Sequence, residues 1–186
     1  MIFLSKFSAL PTSCSTNNFL FYSRFNNINL DSRLTETYNM KFYLKYLLEW
    51  PELFLVLESP NGSLMSYLIG KVEGKGTDWH GHVTAITVSP LYRRMGLARS
   101  LMTHLERVSE ERKCYYVDLF VRQSNTLAIS MYETFGFVKY RRILQYYSGE
   151  ASEDAFDMRK SLSMDKEKKA MIPLPKPVHA DDIEYN

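Results

Sequence analysis

Val88-Ser89-Pro90-Leu91-Tyr92-Arg93-Arg94-Met95-Gly96-Leu97-Ala98 is the stretch on which the fold turns. An extended run ends at Val88-Ser89-Pro90, a short basic turn with one glycine follows, and a helix begins near Leu97. The N–H groups of a first helical turn have no acceptor inside the helix and point at whatever lies beyond its end, so this arrangement binds phosphates. Gly96 lets an anion approach the backbone closely, and Arg93 and Arg94 add fixed positive charge. The backbone amides of Arg94, Gly96, Leu97, Ala98 and Arg99 are the natural donors. By itself Arg-x-x-Gly-x-Ala is a weak signal, equally a plain turn before a helix, and its surroundings have to decide.

Upstream, apolar and aromatic residues at Phe42, Tyr43, Tyr46, Leu47 and Trp50 recur at three and four, which predicts a helix over 41–50 stopped by Pro51. Leu53 to Leu57 reads as a buried strand, Pro60-Asn61-Gly62 as a hairpin turn, and Leu64 to Val72 as the partner strand. His80 to Val88 is a third strand. Downstream, Leu97, Leu101, Leu105 and Val108 share one face of a helix over 97–112. Tyr115 to Val121 is a fourth strand. Ser124 to Phe135 is another helix, with Ser124 or Asn125 as N-cap and Gly136 as its stop. Phe137 to Tyr147 is a long strand against which Ala155 to Leu162 returns. The expected fold is one α/β domain built on a mixed, mostly antiparallel sheet flanked by helices.

Length and composition agree. The chain has 186 residues, 45% hydrophobic and 24% charged, enough for one ordinary core. A net charge of +2 gives no case for direct nucleic-acid binding, and no run approaches the roughly 18 apolar residues of a membrane span. Two cysteines, Cys14 and Cys114, argue against a disulfide framework and fit a reducing compartment. Cys114 reads as a small buried hydrophobe. The organisation expected is an atypical N-terminal segment over 1–24, the domain over 25–162, and an extended, mobile C-terminal arm over 163–186 with Pro173, Pro175 and Pro177. The first 30 residues carry no acid, as in a transit peptide, but only Lys6 and Arg24 supply positive charge, which favours an atypical start.

About 30 residues after the basic turn stands a second unit, Ser124-Asn125 followed by Met131-Tyr132-Glu133-Thr134-Phe135-Gly136-Phe137. The turn and this unit together resemble the acetyl-CoA-binding core of the GNAT acyltransferases. Phe25-Asn26-Asn27-Ile28-Asn29-Leu30-Asp31, Leu34-Thr35-Glu36-Thr37-Tyr38, Trp79-His80-Gly81-His82-Val83-Thr84-Ala85, Val117-Asp118-Leu119-Phe120-Val121-Arg122, Tyr146-Tyr147-Ser148 and Ile172-Pro173-Leu174-Pro175 extend the resemblance to the catalytic subunits of NatB-type N-terminal acetyltransferases, from about Phe25 to Glu184. Residues 1 to about 24 depart from that family, whose members begin with a short strand. Here the first strand is missing, rebuilt from Ile2 to Leu4, or supplied by another start site.

The resemblance implies transfer of acetyl from acetyl-CoA to the α-amine of nascent chains beginning Met-Asp, Met-Glu, Met-Asn or Met-Gln. It implies an auxiliary helical-repeat subunit, attachment to the ribosome through that complex, and a cytoplasmic location. The pyrophosphate would lie on the turn, and the pantetheine arm would pair with the backbone around Ile86 to Val88. Asn125 would contact the pantetheine, although helix capping explains it equally. Tyr132 matches the family tyrosine near the thioester and is the candidate general acid; a phenol of ordinary pKa about 10 is protonated at neutral pH.

The resemblance places Glu36, Tyr38, Tyr146 and Tyr147 in two loops flanking the peptide N-terminus, with Glu36 favouring the ammonium or relaying its proton. The plain alternative for Tyr146 and Tyr147 is a strand pair, one facing in and one out. By the two-residue period His82 and Thr84 share a strand face with His80, Ile86 and Val88. His82 is the candidate donor to the second substrate residue, with a structural strand histidine as its plain reading. His80 and His82 have no evident third metal ligand nearby, and no metal is expected. Two other functions fit the turn alone: an acetyltransferase for another protein or small amine, and a non-catalytic CoA-binding subunit.

Overall fold

The computed structural model describes residues 3–6, 38–149 and 152–183. The stretch Phe19 to Leu30, which reads as a helix entering the fold, lies outside these residues, as do Cys14, Glu36 and most of the segment 1–24. Eight strands are described: β1 (Phe3–Lys6), β2 (Phe54–Glu58), β3 (Leu64–Glu73), β4 (His80–Val88), β5 (Tyr116–Arg122), β6 (Val138–Tyr147), β7 (Glu153–Ser161) and β8 (Val178–His179). Three α-helices accompany them: α1 (Met40–Glu49), α2 (Leu97–Glu111) and α3 (Thr126–Thr134). The strand order is β1-β2-β3-β4-β5-β7-β6-β8. Pairs β1–β2, β2–β3, β5–β7 and β6–β7 are antiparallel, and β4–β5 and β6–β8 are parallel. This is the mixed, mostly antiparallel sheet flanked by helices that the sequence leads one to expect.

Contacts group the chain into two compact units, Met1–Lys71 with Thr84–Leu105, and Val72–Val83 with Glu106–Asn186. In the first, β2 is buried at four of its five positions, as an uninterrupted apolar strand should be. The hairpin to β3 turns at Gly62 (φ +78°), and the Ser59 hydroxyl bonds Asn61 and the Ser63 carbonyl across the turn. Helix α1 starts because the Asn39 side chain accepts from Phe42 N at 3.0 Å. Its inner face sends Tyr43 and Tyr46 into a cluster with Phe54, Val56, Tyr67 and Ile69. Burying each such side chain stabilises by about 1.5–3 kcal/mol.

In the second unit the parallel pairing runs from His80↔Tyr116 to Val83↔Leu119, which sets His82 beside Asp118. Gly81 belongs to this stretch because a Cβ there would lie 2.1 Å from Ser109 Oγ of α2. Strand β7 lies between β5 and β6, an order in space that the order in sequence does not dictate. Cys114 is buried, and burial pushes its thiol up to about 11. The described part of the C-terminal arm is fastened: Leu174 N donates to Tyr140 O at 2.7 Å and β8 pairs with Ile143 and Leu144. Asp165 anchors its start, accepting from Ser161 Oγ, Lys169 N and Ala170 N at 2.7–3.0 Å. Strand β1 pairs Phe3–Lys6 with Leu55–Glu58, close to the place where a rebuilt first strand was one of the expected alternatives.

Candidate active site

The first unit carries the basic turn. Ser89, Pro90 and Tyr92 close a short 3₁₀ turn after β4, with Tyr92 N donating to Ser89 O at 2.9 Å. The backbone then turns through Arg94 (φ +67°) and Gly96 (φ +78°) before α2 begins at Leu97. Two left-handed residues so close together are what bring successive N–H groups to one side of a turn, the geometry of an anion nest. Ser100 N donates to Gly96 O at 3.0 Å, so the Leu97 and Ala98 N–H groups precede the first helical bond. A Cβ on Gly96 would meet nothing within 4 Å, so its conformation and not crowding calls for glycine. Arg93, Arg94 and Arg99 are exposed, and Arg93 Nε reaches Val88 O at 3.4 Å. These residues fit a diphosphate: an open nest, a helix N-terminus and exposed positive charge.

Ile86 and Val88 lie on β4 beyond its last pair with β5, at Val83. Thr84, on the same strand, donates from Oγ1 to Tyr46 OH at 3.1 Å. Tyr38 stacks on Phe42 (4.1 Å between ring centroids) immediately before the α1 cap.

The second unit holds the titratable groups. His82 Nδ1 lies 2.8 Å from Asp118 Oδ1, both side chains buried. Burial alone would raise the Asp118 carboxyl, but His82, His80 and Arg159 outweigh it and hold the group down at about 2. The His82 ring meets the edge of Phe120 (5.3 Å), Phe120 meets Tyr146 (5.0 Å), and Tyr146 meets Tyr147 (5.0 Å). Tyr147 also donates from its hydroxyl to Phe120 O at 3.4 Å, and the Arg122 guanidinium lies over its ring at 3.9 Å. Tyr132 on α3 is buried; burial first and the Tyr147 phenol second push its hydroxyl above the ordinary tyrosine value.

Tyr146 and Tyr147 therefore do not split as one in and one out. The register of β6 against β7 slips between Ile143 and Tyr147, and Gln145 takes a left-handed conformation (φ +52°). This bulge breaks the two-residue alternation and brings both tyrosines onto Phe120. Asn125 is the N-cap of α3, accepting from Ala128 N at 3.2 Å.

In one unit, then, His82, Tyr146 and Tyr147 meet at Phe120, Asp118 holds His82, and the Tyr132 phenol feels that of Tyr147, while Tyr38, Thr84, Ile86, Val88 and Arg93–Arg99 belong to the other. Glu36 lies outside the described residues. Sequence reasoning passed over Asp118 and Phe120 as site residues. A carboxylate inside Tyr116-Val117-Asp118-Leu119-Phe120-Val121 was the available signal, since a charge in an apolar strand needs a buried partner. It also passed over Glu73. A third potential ligand does lie near His80 and His82: Glu73 on β3 is 3.9 Å from His80 Nε2, and one ligand atom from each of the three falls within 4.8 Å of the others. The Nδ1 atoms of both histidines already face acceptors, Asp118 for His82 and Asp78 O for His80 (2.5 Å).

Residues 21–137 match the family described as acetyltransferase (GNAT). The chain is 58% identical over 164 residues to the N-terminal acetyltransferase B complex catalytic subunit NAA20 of Arabidopsis thaliana, covering 88% of this chain and 92% of that one. Among solved structures, Naa20 of Chaetomium thermophilum in complex with a bisubstrate analogue superposes with a TM-score of 0.80 at 36% identity, covering 86% of this chain and 92% of that one. A chain of a NatB acetyltransferase complex bound to a bisubstrate inhibitor superposes with a TM-score of 0.75 at 39% identity, covering 90% and 96%. With more than half its length matched and its strand order and turn in place, the chain belongs to the acetyltransferase (GNAT) family.

Proposed function

We propose that this chain is the catalytic subunit of a NatB-type N-terminal acetyltransferase. It moves acetyl from acetyl-CoA to the α-amine of chains beginning Met-Asp, Met-Glu, Met-Asn or Met-Gln, by direct attack with donor and acceptor bound together. The observation that carries this reading is His82, a buried polar ring held by Asp118 at the margin of the Phe120–Tyr146–Tyr147 aromatic cluster. Aromatic faces suit a methionine side chain, and a single imidazole suits one polar group beyond it.

Acetyl-CoA supplies an activated thioester, and the residues bind and orient it. The Gly96–Ala98 backbone and the Arg93, Arg94 and Arg99 side chains take the diphosphate. The β4 backbone from Ile86 to Val88, beyond its pairing with β5, offers the amide arm a strand edge, and Asn125 contacts that arm while capping α3. An α-amine with ordinary pKa about 7.7–8.0 is partly neutral at cellular pH, so a strong base is not required. The amine nitrogen bonds the thioester carbon, the carbon–sulfur bond breaks, and Tyr132 donates its phenolic proton to the departing sulfur. Burial keeps that phenol protonated. Glu36 takes the ammonium proton through water. Tyr38, Thr84, Tyr146 and Tyr147 hold the peptide, and His82 meets its second residue.

The named relatives support an auxiliary subunit as partner, and a complex that acts on nascent chains would work at the ribosome in the cytoplasm. The test is acetyl transfer to peptides beginning Met-Asp, Met-Glu, Met-Leu and Ser, with and without the auxiliary subunit. Selective acetylation of the first two is expected. Equal use of all four, or CoA binding with no transfer to any, overturns the proposal.

A further inference from the structure

Asp118 sits in the middle of an apolar strand with its carboxylate almost wholly buried. The parallel register sets it directly beside His82, and its Oδ1 lies 2.8 Å from His82 Nδ1. An ionised carboxylate only accepts hydrogen bonds, so the proton between them belongs to Nδ1. Two consequences follow for the other ring nitrogen. In the neutral ring Nε2 carries a lone pair and accepts. In the imidazolium Nε2 carries a proton and donates. A buried carboxylate on Nδ1 complements a ring that donates from both nitrogens, and the edge contact with Phe120 restrains the ring's rotation.

The two classes of second residue ask different things of that nitrogen. A carboxylate has no proton to give and needs Nε2–H. A side-chain amide has both a donor and an acceptor, and satisfies either form. We propose that Asp118 is the positioning residue of His82 and, through it, sets the preference for an acidic over an amide second residue in the peptide. This rests on the reading that His82 meets the second residue. His80 Nε2 also faces Asp118, at 3.7 Å, and the Arg159 and Asp157 charges act on it from β7. A purely structural role for Asp118 would weaken both peptide classes alike, and this distinguishes it from the role assigned here.

The test uses the full chain with its auxiliary subunit and two peptides differing only in Met-Asp against Met-Asn. Steady-state kcat and KM are measured for wild type, Asp118→Asn, His82→Ala and His80→Gln, with enzyme counted by stoichiometric acetyl-CoA binding. Asp118→Asn is expected to lower kcat/KM for Met-Asp by about 10- to 100-fold more than for Met-Asn, mainly through KM, the value of a lost charge-assisted hydrogen bond. His80→Gln is expected to leave the ratio of the two within about twofold, well below that charge-assisted range. Equal losses for both peptides in Asp118→Asn, or the same shift of ratio in His80→Gln, overturn the inference. An unchanged ratio in His82→Ala overturns the underlying reading of His82 instead. Nitrogen-15 spectra of histidine-labelled wild type supply a check that needs no variant. A protonated Nδ1 on His82 is expected, and an unprotonated Nδ1 overturns the proposal.

Discussion

Gln145, in a left-handed conformation at φ +52°, donates its backbone N–H to Asp154 Oδ1 at 2.8 Å, and this bond pins the bulge that brings Tyr146 and Tyr147 onto Phe120. Arg142 holds the same carboxylate from Nε at 2.6 Å. The Gln145 N–H, more than Arg142, keeps the Asp154 carboxyl below its ordinary value. Asp154→Ala should raise the KM for peptide several-fold and leave acetyl-CoA binding alone. Gln145→Gly should preserve activity, because glycine takes positive φ without strain. An unchanged peptide KM in Asp154→Ala would show that the tyrosines hold their places without the bulge.

Tyr132→Phe keeps the ring packed against Phe137 at 5.9 Å and removes only the hydroxyl. Turnover should fall by about 10²–10⁴-fold, the range for a positioned proton donor, with acetyl-CoA affinity unchanged. Because the phenol is held above its ordinary value of 10.0, the wild-type rate should show no loss attributable to it up to pH 10. Single-turnover rates across alkaline pH measure both.

Asp157 is fully buried and meets two arginines, Arg159 through Nε and Nη2 at 3.0–3.2 Å and Arg141 through Nε at 3.1 Å. Arg159 in turn lies over the rings of Tyr140 and Tyr116, at 3.8 and 4.5 Å. Asp157→Ala would leave a mostly buried guanidinium uncompensated, costing about 3–5 kcal/mol. Calorimetry should record a Tm lower by roughly 10 °C. A fall of only a degree or two would mean that Arg159 finds water or Asp118 instead.

Acid should act through Asp118. Its folded carboxyl is held down at about 2 against an ordinary 3.8, so its contribution is present above 3.8 and is lost as pH falls toward 2. Asp157 has the opposite sign, since burial and then the Asp118 charge raise its carboxyl and its protonation in acid favours the folded state. Urea midpoints measured from pH 5 down to pH 2.5 should therefore fall in wild type and change less in Asp118→Asn. Parallel curves would assign the acid loss to other carboxylates.

At the basic turn, Gly96→Ala puts a Cβ into open space but forces alanine into φ +78°. A left-handed alanine costs about 1–2 kcal/mol, so the turn should relax and acetyl-CoA should bind about five- to thirtyfold more weakly. Peptide KM should hold. Calorimetric titration with acetyl-CoA measures the change, and unaltered affinity would separate this turn from the diphosphate.

Local physics made most of the elements legible. The apolar spacing of Phe42, Tyr43, Tyr46 and Leu47 named α1, Ser124 or Asn125 stood out as the cap of α3, and Gly96 marked a place where an anion can approach the backbone. Each of these signals is carried within a turn or two of chain, so reading along the sequence finds it. The plain rival for Tyr146 and Tyr147, one in and one out, came from the same local logic, and it fails because a single bulge resets the alternation.

The site itself depends on pairings that no local signal carries. Asp118 meets His82 across 36 residues because β4 and β5 pair in one register and not the next; a slip of one residue would turn the carboxylate to the other face. Strand β7 enters between β5 and β6 and puts Asp157 and Arg159 behind that pair, while β3 brings Glu73 to His80. The sequence by itself determined most of the elements, the basic turn and the family, since periodicity, capping and turn chemistry are properties of neighbouring residues. Only the tertiary structure decided which buried carboxylate faces which histidine, because register between distant strands is set by the packing of the whole sheet.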